Sequence, residues 1–147
     1  MVSISDITAA VKTALESEQL FRKVGDLPEW LKQSLEDQVV AVPAAYVYFE
    51  EASYEPVGVG GKFRRKVLVS MIVVTRAYSI DHAKLLHSDE EGTRKGAYYL
   101  IEEVVDVLKG NTLSLDIAPL VPVRISALAS SQSTAVYNIV FETYSRV

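Results

Sequence analysis

The chain of 147 residues contains no cysteine and only two histidines. The absence of cysteine excludes disulfide bonds, cysteine-based zinc sites and catalysis by a thiol. No apolar run reaches the roughly 18 residues that indicate a membrane span, so we expect no contact with a membrane. The first twelve residues lack a basic region, an apolar run and a cleavage site in that order, and we therefore expect no signal peptide.

Charge and composition narrow the class of protein further. The net charge of −4 argues against general binding of nucleic acid through neutralisation of phosphates. Hydrophobic residues make up 49% of the chain and charged residues 23%, which is typical of a globular protein. The length predicts a single domain over residues 1–147, with enough buried surface for a hydrophobic core.

The first part of the chain predicts two helices. Ser3 followed by Asp6 is close to a capping box, and a helix that begins there should end near Leu20. Its apolar residues recur at helical spacing: Ile4, Ile7, Val11, Ala14 and Leu15. Pro28 is well placed as the first residue of a short second helix through Leu35.

Another strong helix is predicted before Gly110 and Asn111, which form a good C-terminal stop. Its inner stripe consists of apolar residues at helical spacing: Ala97, Ile101, Val104, Val105 and Leu108. Near its start two tyrosines are adjacent, and consecutive helical side chains point about 100° apart. We expect Tyr98 to pack in the core, and the other tyrosine, Tyr99, to be exposed or at an interface.

A long apolar hairpin is the main strand feature. Its first arm covers residues 39–49, with the strand proper starting after Pro43, and its second arm covers residues 66–78. The second arm is apolar on both faces at its centre, so either helices of the same chain or a neighbouring subunit must cover both faces. The glycine-rich connection at residues 51–62 is too long for a tight turn.

A second hairpin is predicted near the end of the chain. Alternating residues indicate strands at about 121–129 and 134–144, and residues 113–115 are compatible with a short strand. The order helix, hairpin, helix, hairpin predicts an α+β domain. We expect a four-stranded antiparallel sheet with the N-terminal helix and the second long helix packed on one face.

The residues that could carry chemistry are few. His82 and His87 are five positions apart and do not share a helical face. Carboxylates lie near them, at Asp81, Asp89 and Glu90. We favour the interpretation that these are solvated side chains. A metal site or a metal-dependent hydrolase is the alternative. The glycines at 58–61 precede no Gly-Lys-Ser/Thr, so a phosphate-binding loop is not indicated. We assign no catalytic, cofactor-binding or metal-binding residue and expect no enzyme and no cofactor.

The basic cluster KFRRK at residues 62–66 has three interpretations. It can contact nucleic acid or an acidic partner, it can guard a sticky strand against wrong pairing, or it can form ion pairs with glutamates on the opposing arm. The acidic net charge favours the last two interpretations over nucleic acid. In an oligomer the same cluster could pair with the glutamates of a neighbouring subunit.

Five segments spread over the chain carry a family resemblance. They are VPAAYVYFEEA at 42–52, RRKVLVSMIVVTRAY at 64–78, GTRKGAYYLIEEVVDVLKG at 92–110, LSLDIAPLVPVRI at 113–125 and AVYNIVFETYSRV at 135–147. Together with the N-terminal amphipathic helix they resemble the Mu-type Gp37 family, small tail proteins of contractile-tailed bacteriophages. The element order is also similar to tail-terminator and tail-completion proteins of long-tailed phages.

The resemblance implies a structural virion protein of the tail or neck that is assembled in the host cytoplasm. It implies a hexameric ring at the head-proximal end of the tail, which terminates tube and sheath assembly and joins the tail to the neck connector. DNA would pass through the lumen without sequence-specific binding. The alternatives are another neck or baseplate component, a small hydrolase or metal-dependent enzyme, and a sheet module that binds a small ligand.

A ring subunit makes head-to-tail contacts and therefore needs two different contact surfaces. A long hairpin can reach a neighbour, and acidic and basic residues meet around glycines at residues 51–65, which we call the hairpin tip. We predict that the tip contacts a neighbouring subunit or tail component. The predicted contact residues are Glu50, Glu51, Tyr54, Glu55, Phe63, Arg64 and Arg65.

Overall fold

The computed structural model describes residues 2–26, 43–76, 96–130 and 134–146. The short helix predicted at 28–35 and both histidines lie outside the described residues. Neither of the two described helices is long and apolar enough to cross a membrane. The elements in chain order are α1 (Ile4–Ser17), β1 (Lys23–Asp26), β2 (Ala44–Pro56), β3 (Phe63–Arg76), α2 (Ala97–Leu108), β4 (Val121–Ser130) and β5 (Thr134–Arg146).

The strands form one five-stranded mixed sheet in the order β1-β2-β3-β5-β4. The α+β class is confirmed, but the predicted four-stranded antiparallel sheet is wrong. Lys23–Asp26 pairs with β2 in parallel, with Val24 opposite Ala45, and adds the fifth strand. Its sequence KVGD contains one strong strand former and is too short to show alternation, so only the contact with β2 specifies this strand.

Helix α1 begins at the predicted cap. The Asp6 amide donates to Ser3 Oγ at 3.0 Å and the Ser3 amide donates to the Asp6 carboxylate at 3.3 Å, which completes a capping box. The helix ends at Ser17 rather than near Leu20, because Gln19 takes a left-handed conformation with φ of 56°. Its buried residues belong to the predicted stripe: Ile7, Val11 and Leu15.

Helix α2 has the predicted extent, and Gly110 follows it with φ of 76°. Its buried residues are Ala97, Leu100, Ile101, Val104 and Leu108. The prediction that Tyr98 packs in the core is wrong. Tyr98 is 42% exposed and lies at the rim of the helix–sheet interface, with its ring edge-on to that of Tyr137. Tyr99 is half-buried and packs against the core.

The helices cover one face of the sheet, which we call the inner face. The main core lies there and includes Val69 and Met71 of β3 and Phe141 of β5. The opposite, outer face has a smaller cluster at one end, formed by Ala44, Tyr46, Ile72, Val74 and Val136. These five side chains are buried within the single chain. The two-sided apolar run of β3 therefore does not by itself require a neighbouring subunit.

The first hairpin is longer than predicted. β2 continues through Pro56 and β3 begins at Phe63, so the connection covers 57–62 instead of 51–62. A bulge at Glu50 shifts the register and lets pairing continue beyond it. The part of β2 after the bulge was not predicted, because its polar sequence breaks the apolar alternation. Three glycines with positive φ form the turn: Gly58, Gly60 and Gly61.

The strands of the second hairpin are confirmed, and β5 extends to Arg146. The short strand considered at 113–115 is a turn, because Leu113 and Ser114 both have positive φ and the Leu115 amide donates to the Thr112 carbonyl at 2.9 Å. Two bulges interrupt β4, the first of them next to Pro122. Proline cannot donate to a ladder, which accounts for the irregular pairing at that position.

Candidate functional site

The hairpin tip is supported on one side only. β3 pairs with β5 as far as Arg64 opposite Arg146, so a third strand follows the hairpin almost to its turn. On the other side, β1 pairs with β2 only as far as Val47. Beyond that residue, β2 is the edge of the sheet that the described residues form. The tip is thus a three-stranded projection with an open edge.

The outer face of the tip carries paired charges. The Arg64 Nη2 and Glu55 Oε2 atoms are 3.0 Å apart, and the Arg64 guanidinium lies 4.1 Å from the centre of the Tyr144 ring. Lys66 Nζ is 3.4 Å from Glu142 Oε2, and this carboxylate raises the pKa of Lys66. The predicted ion pair across the hairpin is therefore confirmed for Glu55 and Arg64.

Arg65 lies on the inner face, because successive side chains of a strand point to opposite faces. It is 4% exposed. Its Nε atom donates to Ser145 Oγ at 3.1 Å, and its Nη2 atom donates to the Val2 carbonyl. Arg65 thus ties the hairpin to β5 and to the chain before α1, and its guanidinium does not face a partner.

Glu50 occupies the bulge of β2 and bonds across the outer face. Its carboxylate accepts hydrogen bonds from Ser70 Oγ and, at 3.0 Å, from Arg124 Nη2 on the far edge strand. Val140 of β5 pairs in register with Ser70 on one side and with Arg124 on the other, and it is buried between them. The Glu50 carboxylate is therefore engaged within the subunit and links β2 to β4.

Glu50 is nevertheless exposed, and the remaining predicted contact residues also reach the surface. Tyr54 is 59% exposed and Phe63 is 50% exposed. Glu51 is also exposed, in a shallow groove beside Lys66 and Leu68. The structure thus gathers five of the seven predicted residues on the exposed tip: Glu51, Tyr54, Glu55, Phe63 and Arg64.

Two exposed valines in the turn were missed by the sequence reasoning. Val57 is 45% exposed and Val59 is fully exposed. The sequence did contain a signal for their exposure. An apolar residue lies on each side of Gly58, in a turn segment that has too few neighbouring residues to bury either valine. These valines extend the apolar surface of Tyr54 and Phe63 to the end of the hairpin.

A groove of 610 Å³ opens at the base of this turn. It is lined by two apolar side chains and three cationic ones besides the Gly61 backbone: Val57, Phe63, Lys62, Arg64 and Arg146. Such a lining suits an apolar protein segment that carries a carboxylate. No set of three histidine, aspartate or glutamate side chains in the described ranges is arranged to hold a metal ion.

A second set of exposed apolar residues, on β4, was also missed. Its alternation predicted one apolar face, but the first bulge reverses the alternation, so Val121 lies opposite Glu142 on the outer face whereas Ile125 lies opposite Ile139 on the inner face. Four apolar side chains of β4 are 45% to 50% exposed: Val121, Val123, Ile125 and Leu128. The sequence signal for this irregularity was Pro122, which disfavours regular pairing within the strand.

Comparisons with known proteins agree with the resemblance found in the sequence. A chain of a solved structure described as "Virion of native gene transfer agent (GTA) particle" shares the fold, with a TM-score of 0.60. It is 16% identical, and the match covers 96% of this chain and 95% of that chain. No curated protein matches. The family model described as "Bacteriophage Mu, Gp37" matches residues 3–145. Since this match spans nearly the whole chain, the protein belongs to the bacteriophage Mu Gp37 family.

Proposed function

We propose that this protein is a structural component of the phage virion that forms a ring at the head-proximal end of the tail. The ring ends the assembly of tube and sheath and joins the tail to the neck. Membership of a bacteriophage family and a fold shared with a chain of a virion particle support a structural role. The observation that carries the proposal is the hairpin tip, whose exposed apolar side chains support contact with another protein.

The surface chemistry of the tip supports this role. Its apolar side chains point into solvent, and large exposed apolar patches mark interaction sites. Arg64 and Glu55 neutralise each other within the subunit, whereas Lys62 and Arg146 line the groove beside Phe63. A partner is therefore recognised by apolar contacts at the turn and by a carboxylate of its own that binds in the groove.

The net charge of −4 supports a role in which the protein lies beside DNA without binding it. A protein of the same sign as the phosphate backbone gives DNA no general binding surface, so DNA can slide past it. In the proposed ring, DNA passes through the lumen without sequence-specific contacts. The partners are the tail tube, the sheath and the neck connector.

Electron microscopy of the purified protein and of tagged particles tests the proposal. We expect rings of about six subunits, a number taken from the similarity to tail terminators, and a label at the head-proximal end of the tail. A protein that is strictly monomeric and absent from purified virions would refute it. A label at the opposite end would indicate a baseplate component instead.

Variants of the tip separate assembly from folding. Replacing Val57, Val59 and Phe63 together by serine should abolish rings without lowering the melting temperature, because these side chains are exposed. Phe49→Ser is the matched control, since Phe49 is 40% exposed and lies on the same hairpin away from the turn. It should still form rings. Rings that survive the triple substitution would show that the tip is not a contact surface.

A further inference from the structure

Two grooves adjoin at the end of the sheet beside the hairpin turn. The groove of 610 Å³ and a second groove of 320 Å³ are both lined by Arg64 and Arg146, which pair across β3 and β5. The second groove continues to residues 116–118, before β4. We call the two grooves together the end trough. It leads from Phe63 at the start of β3 to Asp116, and this elongated shape accommodates an extended peptide segment.

The end trough carries an excess of positive charge in a protein whose net charge is −4. Arg64 is paired with Glu55 and lies over the Tyr144 ring. Lys62 and Arg146 are exposed, and neither pairs with a carboxylate in the described part of the chain. Two such cations beside one groove attract an anionic group, and an arginine binds a carboxylate through paired hydrogen bonds.

The far wall of the end trough is fixed by backbone pairing with β5. The Ala118 amide donates to the Tyr144 carbonyl at 2.8 Å, and Ile117 forms a bridge with Ser145. Because this wall is already ordered in the subunit, its ordering adds little to the free-energy cost of binding. Asp116 is exposed on the wall, so the trough offers a hydrogen-bond acceptor at the end away from the turn.

An acidic protein segment fits the end trough better than nucleic acid does. Binding of a phosphate backbone relies on many cations, whereas the described residues leave two cations of the trough unpaired, Lys62 and Arg146. The trough also presents Val57 and Phe63, which are 45% and 50% exposed. These side chains match the apolar side chains of a protein partner and not a phosphate backbone.

We propose that the end trough binds an extended acidic segment of another tail or neck protein. In that segment an apolar side chain packs on Phe63, and a carboxylate binds between Lys62 and Arg146. A hydrogen-bond donor further along the segment reaches Asp116. The inference rests on the proposed ring and gives the chemistry by which the ring recognises the protein that it joins. Val59 does not line the trough and stays available for contact between subunits.

Neutralising the two cations tests the proposal, because both side chains are exposed and no ion pair of the described residues is lost. The double variant carries Lys62→Gln and Arg146→Gln, and Lys23→Gln, exposed on β1, is the control. The probe is the fluorescent peptide Gly-Leu-Asp-Gly-Lys-Gly, compared with the same peptide carrying Asn in place of Asp.

Binding of the two peptides is measured by fluorescence anisotropy. We expect the wild type and the control to bind the Asp peptide about tenfold more tightly than the Asn peptide, because hydrogen bonds between charged groups are the stronger ones. The double variant should lose this preference. Equal binding of both peptides by the wild type, or no binding up to millimolar protein concentration, would overturn the proposal. Tighter binding of oligothymidylate through the same two side chains would also overturn it and assign the trough to nucleic acid.

Particle assembly separates this inference from the proposed function. The double variant should form rings that fail to join tails to heads. Normal joining by the double variant would overturn the role of the trough and leave the ring unaffected. Loss of the rings themselves would identify the occupant as a second copy of this chain and would likewise overturn the inference. A label at the opposite end of the tail would refute the proposed function, while the preference for the Asp peptide would still support binding of an acidic segment.

Discussion

The adjacent arginines 64 and 65 should have opposite roles, because strand alternation places them on different faces of the hairpin. Arg64 is half-exposed, pairs with Glu55 at 3.0 Å and lies over the Tyr144 ring. Arg65 is 4% exposed and donates to Ser145 and to the Val2 carbonyl. We predict that Arg65→Ala destabilises the fold and that Arg64→Ala leaves it nearly intact.

The expected magnitudes follow from burial. A hydrogen bond from a charged group contributes about 1.5–3 kcal/mol, and Arg65→Ala also leaves Ser145 Oγ without this donor and removes a packed aliphatic stem. We expect a loss of about 3 kcal/mol, which for a protein of this size lowers the melting temperature by roughly 6–12 °C. For Arg64→Ala, an exposed ion pair and an exposed cation–π contact together give a loss of about 1 kcal/mol, or roughly 2–4 °C.

The melting temperature of both variants is measured by circular dichroism during heating, and the free energy of unfolding is measured by urea denaturation. Arg65→Met is a useful third variant because it keeps the aliphatic stem and removes only the guanidinium. It should fall between the wild type and Arg65→Ala. Equal losses for Arg64→Ala and Arg65→Ala would contradict the assignment of faces. A melting temperature of Arg65→Ala within about 1 °C of wild type would refute the anchoring role and the stated energy.

Three further predictions concern other parts of the fold. Ser3→Ala removes the capping box and should cost about 0.5–2 kcal/mol in urea denaturation, with exposed Thr13→Ala on the same helix as the control; equal effects would contradict it. A double-mutant cycle of Glu50→Gln and Arg124→Gln should give a coupling of about 0.2–1 kcal/mol, because the ion pair is partly exposed; zero coupling would show that the pair does not stabilise the fold. Burial raises the pKa of Tyr46 above 10.0, so above about pH 10 the unfolded chain ionises first and the free energy of unfolding falls. Tyr46→Phe should lessen that fall between pH 8 and pH 11, and an unchanged pH profile would contradict this.

Elements with local signals were predictable from the sequence. The capping box of α1, the inner stripe of α2 and the alternation of β5 depend on residues within one turn or strand of each other. The same holds for the Glu55–Arg64 pair, since both residues flank one hairpin turn. The tip was therefore identified as the candidate contact segment without any tertiary information.

The parts that were missed depend on distant residues. β1 exists because β2 lies beside it, and the hairpin is longer than predicted because a bulge at Glu50 restores pairing after an irregular segment. The exposed apolar residues of β4 lie on an edge strand whose first bulge distributes them over both faces, which an alternating sequence does not reveal. The apolar residues of this strand look the same in the sequence whether a face is buried or turned outward.

The sequence by itself determined the α+β class, both long helices, the two hairpins and the family resemblance, because these follow from local periodicity and segment composition. Only the tertiary structure decided which charged residues are anchors and which are available to partners. Arg65 finds Ser145 at a separation of 80 residues, and Glu50 finds Arg124 at a separation of 74. Burial and pairing over such separations depend on how the strands are ordered in the sheet, and no local pattern encodes that order.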